Sequence, residues 1–398
     1  MMKCDTKSVA VANSSRLSKS TSKPLPVVLH ARVITGSGGG PDKTMLNSPR
    51  FLKPLGYQAK CMYLRPPNDA GFQAIRDRAA HWNSPLIEVD DHGPLDWRIV
   101  PQTVDICRQE NVKIWHAHDY KTNLLGLLVN RRWPMKLVST VHGWVELTMR
   151  TRLYHFLDHL TLPRYEKVAC VSPDLLESCR KKGVRNERSC LIENAIDTEQ
   201  FQRRQTRVEA KRKLGLPDSE LLIGAVGRLS PEKGFDRLIG VVKALHQKGI
   251  RPRLAIIGDG GQREELQSLI TQFDLTESIQ LTGFQKNPTD WYEAMDVFAL
   301  SSLREGLPNV VLEAMALETP VVTTAVAGVP RLIDDNVSGA VVPIADDAAL
   351  EAALTRVLGD SELRSRLATA GRQVIESRYS FTARMNKIVD VYRSLDVE

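Results

Sequence analysis

Residues 305 to 320 read EGLPNVVLEAMALETP and set two carboxylates, Glu305 and Glu313, eight positions apart around a Pro308-Asn309 step. Proline has no N–H to lose and a helical φ, so Pro308 suits the first position of a helix. The amides of Gly306, Leu307 and Asn309 would then open outward at the positive helix end, where an anion is favoured. Ionised carboxylates only accept hydrogen bonds, so Glu305 before that end and Glu313 about one and a half turns into the helix would hold hydroxyl groups. Upstream, GRLSPEKGFDRLI (227–239) brings Arg228 and Lys233 to one short turn, a fork and a point charge that can converge on one diphosphate. A diphosphate flanked by two polyol-binding carboxylates describes a nucleotide sugar. Singly, each feature has a plainer reading, as first-turn acids or exposed loop cations; together they carry a chemistry.

A second phosphate-type loop, GSGGG (36–40), follows the first apolar run, and Gly39 and Gly40 would let the backbone approach a donor or an acceptor. A flexible turn with no ligand would use the same residues. The spacing is not GxGxxG, which argues against a dinucleotide-dependent oxidoreductase.

These loops need strands to position them. PLPVVLHARVI, YQAKCMYL, VKIWHAH, KLVSTVH and KVACVS read as short buried strands, with a helical stretch over Lys121–Arg131 between two of them. A second series starts near residue 221, with strands at LLIGAVGRL, RLAIIGDG, SIQLTGF, VFALSS and PVVTT separated by helical segments. Alternating strands and helices predict parallel, doubly wound sheets, whose ligands lie outside the carboxyl ends of the strands. The expected division is a flexible tail over 1–24, a first domain over 25–195, a second over 196–375 and a C-terminal helix over 376–398. The fold class is α/β, two Rossmann-like domains facing a central cleft, with the last helix packing back on the first domain.

Composition narrows the class further. A chain of 398 residues with 42% hydrophobic and 25% charged residues suits two soluble domains. The six cysteines never form a CxxC pair, so neither a zinc knuckle nor a disulfide framework is signalled, and reduced cytoplasmic thiols are expected. No apolar run reaches the roughly 20 residues that span a bilayer. Residues 1–199 carry 29 Lys+Arg against 20 Asp+Glu, the remainder 25 against 27. The basic first half and Trp97, Trp133 and Trp144 permit a peripheral membrane contact; solvated helix faces would give the same surplus. RRWPMK (131–136) is too short for a nucleic-acid surface.

The run from GRLSPEKG through IIGDGGQREEL and LTGF to LREGLPNVVLEAMALETPVVTTAVAGVPRLI resembles the donor domain of the retaining, metal-independent glycosyltransferases of the GT-B fold with an E-x7-E motif, the group 1 or family 4 type. GSGGG, WHAHDYKTNLLG, VHGW, CVSPDL and ENAID agree with its first domain less sharply. The resemblance implies that Arg228 and Lys233 bind the donor diphosphate, Glu313 the ribose and Glu305 the transferred sugar. The amides of Gly306, Leu307 and Asn309 would assist, and the backbone at Phe284 would meet the base. It also implies that His118 lies near the reacting sugar; His116 and His142 read as structural, or as supports behind the residues that touch the sugar, as a lone histidine at a strand end usually is. Three positions depart from the family: Glu318 and Ala195 stand where Gly is usual, and Arg331 where Glu is usual. Glu318 and Arg331 are expected to restore each other's charge.

The expected activity is transfer of a sugar from a nucleotide diphosphate sugar, as co-substrate, to an acceptor hydroxyl with retention, in polysaccharide or glycoconjugate synthesis. No cofactor and no metal are expected, and no nucleic acid partner. The acceptor stays open among glycan, lipid-linked intermediate and small molecule. A nucleotide-sugar epimerase or hydrolase, or a non-catalytic nucleotide-sugar-binding protein, are the alternatives on the same fold.

Overall fold

The computed structural model describes residues 24–143 and 158–397. The expected tail up to residue 23, and Trp144, lie outside the described residues.

Two parallel sheets account for the thirteen described strands. The first contains β1 (Val27–Val33), β2 (Gln58–Arg65), β3 (Leu86–Asp90), β4 (Val112–Ala117), β5 (Lys136–Val141), β6 (Lys167–Cys170) and β7 (Ser189–Leu191), in the order β3-β2-β1-β4-β5-β6-β7. The second contains β8 (Leu222–Val226), β9 (Arg253–Ile257), β10 (Ile279–Gly283), β11 (Val297–Leu300), β12 (Val321–Thr324) and β13 (Ala340–Val342), ordered β10-β9-β8-β11-β12-β13. In each sheet the order reverses once, between β1 and β4 and between β8 and β11. A crevice opens at such a switch point because the flanking crossovers leave toward opposite sides.

Near-continuous apolar strands are what a sheet covered on both faces requires. Val28, Leu29 and Ala31 of β1, and Ile223 and Ala225 of β8, are fully buried. The short β3, β7 and β13 escape a purely sequence-based reading because each is brief or carries polar residues, as in LIEVD and SCL.

The last helix, Phe381–Arg393, starts on the Ser380 hydroxyl, which accepts from the Ala383 amide at 3.1 Å. Its apolar residues Phe381, Met385, Ile388, Val389 and Tyr392 recur at helical spacing and pack on Val28, Leu52, Ile114 and Val138 of the first domain. The chain therefore crosses between the domains twice. The crossings meet where the Ile196 amide donates to the Tyr379 carbonyl at 2.9 Å and the Phe381 amide to the Ile196 carbonyl at 2.8 Å. Arg384, buried, donates to the carbonyls of Ile192 (3.0 Å) and Glu193, and burial brings its guanidinium down to about 10.

Candidate functional site

On the second domain, the loops after β8 and β11 are tied together at the switch point. The Leu303 amide donates to the Glu232 carbonyl at 2.8 Å, and the Ser301 hydroxyl to the Lys233 carbonyl at 3.0 Å. Gly234 makes this approach possible. Its φ is 61°, and a Cβ there would lie 2.5 Å from the Ser301 carbonyl oxygen. The Lys233 ammonium consequently reaches the Glu305 carboxylate, which also accepts from the Ser302 hydroxyl at 3.0 Å. Arg228 instead pairs with Glu232 at 2.8 Å and is 73% exposed, holding the Glu232 carboxyl down at about 2. Both expected diphosphate cations are thus engaged by carboxylates, and an anion would have to replace those partners.

The helix Asn309–Ala316 starts one residue later than expected, with Pro308 as its cap in extended conformation (ψ 115°). The amides of Gly306, Leu307 and Asn309 make no hydrogen bond to a described residue. Glu313 is half-buried, and its Oε2 accepts from the Tyr292 hydroxyl at 2.9 Å. Burial raises its carboxyl above the ordinary value; the Tyr292 bond and the Lys43 ammonium act the other way. Lys43 belongs to the first domain, so the two domains face each other here. A Cβ on Gly40 would stand 3.9 Å from Asn309 Nδ2. Phe284, after Gly283, is 77% exposed at the neighbouring edge.

On the first domain, the glycine loop leads into the helix Gly40–Leu52. Its amides are partly spent: Gly39 donates to Asp42 at 2.6 Å and Gly36 to Asp69 at 2.6 Å, while Arg32 stands 2.8 Å from the buried Asp42 carboxylate. Gly39 therefore shapes the loop, and Gly40 is the glycine that fronts the other domain.

Beside it, four histidines collect at the switch point because β1 and β4 pair His30 with His116 in register. His118 follows β4, and His142 follows β5. His118 Nε2 is 2.9 Å from His30 Nδ1, and His118 Nδ1 is 3.0 Å from His142 Nε2. Both ring nitrogens of His118 are taken, so its ring offers none to a sugar as it stands. His142 is half-buried and the least enclosed of the four. His116 is structural as expected, bonded to the Tyr392 hydroxyl of the last helix (2.6 Å) and to Thr140 (2.7 Å). Burial drives all four imidazoles to low pKa, His30 to about 3, and the nearby Arg32 and Arg384 push His142 the same way. The rings are neutral at pH 7.

Ring nitrogens of His30, His116 and His118 lie within 4.8 Å of one another. Ligands of one metal ion must aim their lone pairs at a common point. Here His116 and His118 are stacked at 4.7 Å with planes 12° apart, His30 stacks on His116, and both His116 nitrogens are occupied. The cluster does not fit a metal centre.

One sequence expectation fails outright. Arg331 does not compensate Glu318; its Nε lies 3.1 Å from Glu193 in the first crossing, because the turn Val329–Leu332 points it at the hinge. Glu318 sits at the far end of its helix with φ 54°. Lys43, Tyr292, His30 and Ser302 were missed; none stands in a motif, and apart from Ser302, three residues before Glu305, each meets its partner far along the chain.

Two family signatures divide the chain between them: "Glycosyl transferases group 1" matches residues 206–374 and "Glycosyltransferase Family 4" residues 38–200. An uncharacterized glycosyltransferase of Methanocaldococcus jannaschii is 27% identical over 70% of this chain and 74% of its own. The UDP-Gal:alpha-D-GlcNAc-diphosphoundecaprenol alpha-1,3-galactosyltransferase of Escherichia coli is 27% identical over 72% and 76%. Among solved structures, Anabaena HepE in complex with UDP superposes with a TM-score of 0.75 at 17% identity, over 93% of this chain and all of that one. With both halves matched and the two-domain fold shared, the chain belongs to the group 1 glycosyltransferases of the GT-B fold.

Proposed function

We propose that the protein transfers a sugar from a nucleotide diphosphate sugar to an acceptor hydroxyl with retention of anomeric configuration and without a metal ion. The observation that carries this reading is the cluster of Lys233, Glu305, Glu313 and the free amides of Gly306, Leu307 and Asn309 at the second switch point, opposite Gly40 and Lys43. Lys233, joined by Arg228 once it leaves Glu232, would neutralise the departing diphosphate together with the helix end. Released from Lys233, Glu305 would bind the transferred sugar, and Glu313, oriented by Tyr292, the ribose hydroxyls. The bond from the anomeric carbon to the diphosphate oxygen breaks, the acceptor oxygen bonds to that carbon, and its proton passes to the leaving phosphate on the same face. His142, backed by His118, would line the sugar side of the cleft.

The acceptor is read as a glycan or lipid-linked sugar, since the matched E. coli enzyme is named for a diphosphoundecaprenol-linked one. Leu95 and Trp97, 78% and 60% exposed on the first domain, suit a peripheral membrane contact. Trp133 does not contribute: its indole N–H donates to the Val112 carbonyl at 2.9 Å. No described helix is long and apolar enough to cross a membrane.

The test is release of nucleoside diphosphate from UDP-, GDP- and ADP-sugars in EDTA, comparing the natural protein with Glu313→Ala. Slow release from one donor, lost in the variant, is expected. No release and no calorimetric binding of any nucleoside diphosphate would overturn the reading, and conversion to an epimer without acceptor would redirect it to isomerisation.

A further inference from the structure

The histidine chain has a direction, and the buried end decides it. Neutral imidazole carries one N–H and one lone pair, so two linked bonds among three rings can be arranged in only two ways. In the first, His30 Nδ1–H donates to His118 Nε2, His118 Nδ1–H donates to His142 Nε2, and His142 keeps its own proton on Nδ1. In the second every proton moves to the opposite nitrogen, leaving His142 Nδ1 bare and an N–H on His30 Nε2. His30 is 2% exposed, and its Nε2 has no hydrogen-bond partner among the described residues. A buried N–H without an acceptor is among the costliest groups to leave unpaired, whereas an unused lone pair is tolerated more readily. The first arrangement leaves only a lone pair inside and delivers the N–H to the half-buried rim, where a hydroxyl oxygen or water can accept it. The stack locks the rings in register, with His30 4.8 Å from His116 and His116 4.7 Å from His118.

We infer that His30 is a positioning residue that sets the tautomers of His118 and His142, so that His142 meets the cleft as an Nδ1–H donor and not as a base. Its role rests on the reading of that cleft as the site of the transferred sugar. His142 then donates to a sugar oxygen, and the acceptor's proton goes to the leaving phosphate, because the chain cannot take it up without creating the orphan N–H on His30.

The histidine side chain in water prefers its proton on Nε2, so three consecutive Nδ1–H rings make a distinctive signature. Long-range nitrogen–proton correlation spectra of the full chain, labelled with 15N-histidine, are expected to report Nδ1–H for His30, His118 and His142 at pH 7.5. Nε2–H at His118 and His142 would overturn the inference. His30→Leu removes the internal donor: His118 and His142 are expected to shift toward Nε2–H, and kcat for nucleoside diphosphate release to fall about tenfold, one hydrogen bond's worth, with the donor KM little changed. His30→Asn, whose amide N–H reaches the same place, is expected to recover most of that rate and the Nδ1–H signals. An Asn variant with the Leu variant's tautomers would also overturn it. Nδ1–H signals throughout, with His142→Ala as active as the natural protein, would uphold the direction of the chain and remove the sugar from this part of the cleft.

Discussion

The two walls of the cleft solve opposite problems. On the first domain, three buried imidazoles and the half-buried His142 are neutral, with His30, His118 and His142 bonded in a chain and His116 bonded to Tyr392 and Thr140, so their arrangement exists without a ligand. On the second, Lys233 holds Glu305 and Arg228 holds Glu232, all in half-exposed or exposed loops. Those pairs are placeholders. A diphosphate arriving at Lys233 replaces one anion with another, so the ammonium is never stranded, while Glu305 is freed for hydroxyl groups. Preorganisation thus lies with the neutral imidazoles, and exchange with the charged pairs.

Removing a placeholder should separate these roles most widely. Lys233→Ala takes away a cation that the charged transition state needs, and a loss of about 10²- to 10³-fold in kcat is expected, the usual cost of deleting one such group. Stability should move by less than about 1 kcal/mol, since the pair is partly solvated and Glu305 keeps Ser302. Steady-state kinetics and thermal melting on one preparation check both halves. A variant that melts far lower, with its kcat intact, would erase the distinction between the walls.

Acid should act on the other wall. The imidazoles have folded pKa values below their ordinary 6.5, so beneath that pH the unfolded chain binds more protons, and stability falls as pH drops from 6.5 toward about 3 for His30. At pH 5.5 His30 alone costs on the order of 1 kcal/mol, and His116, His118 and His142 act in the same direction. Asp119 and Glu313, raised by burial, oppose this, mainly at lower pH near their ordinary range. Trp82, Trp97, Trp115 and Trp133 report on the first domain and Trp291 on the second. Melting followed by tryptophan emission should therefore come several degrees lower at pH 5.5 than at 7.5, and an unchanged midpoint would contradict the neutral cluster.

The same contrast explains what the sequence discloses. The charged wall is written locally: Arg228 and Lys233 share one turn, Glu305 and Glu313 one loop and helix, and glycines mark where backbones approach. What cannot be read there is who holds whom in the absence of ligand, because Glu232 and Glu305 look equally available to either cation. The histidine wall is written across the chain. His30 and His118 are 88 positions apart and His118 and His142 24, and they meet only because the strand order puts β4 between β1 and β5. His118 was legible as a strand-end histidine; that its nitrogens are both consumed depends on register. The helical period of YSFTARMNKIVDVYRSL was equally plain, but not that Tyr392 would buttress His116.

The smallest expected effect tests whether a departure from the family touches either wall. Glu318 follows the helix Asn309–Ala316 with φ 54°, where its amide donates to the Met315 carbonyl at 3.2 Å and that of Thr319 to Ala314 at 2.9 Å. This pair of bonds closes a helix end in which glycine is the usual residue, because a Cβ is strained in the left-handed region. Glu318→Gly relieves that strain but gives the unfolded chain more freedom, so a net gain of ~0.5–1 kcal/mol is expected, seen as a midpoint higher by roughly 1–4 °C. The position lies about 13 Å along the helix from the Gly306–Asn309 amides at 1.5 Å per residue, so donor choice should stay as it was. A lower midpoint would mean that the Glu318 carboxylate contributes more, through Arg203, than the strain costs. A changed donor preference would mean that the charged wall extends to the far end of its helix.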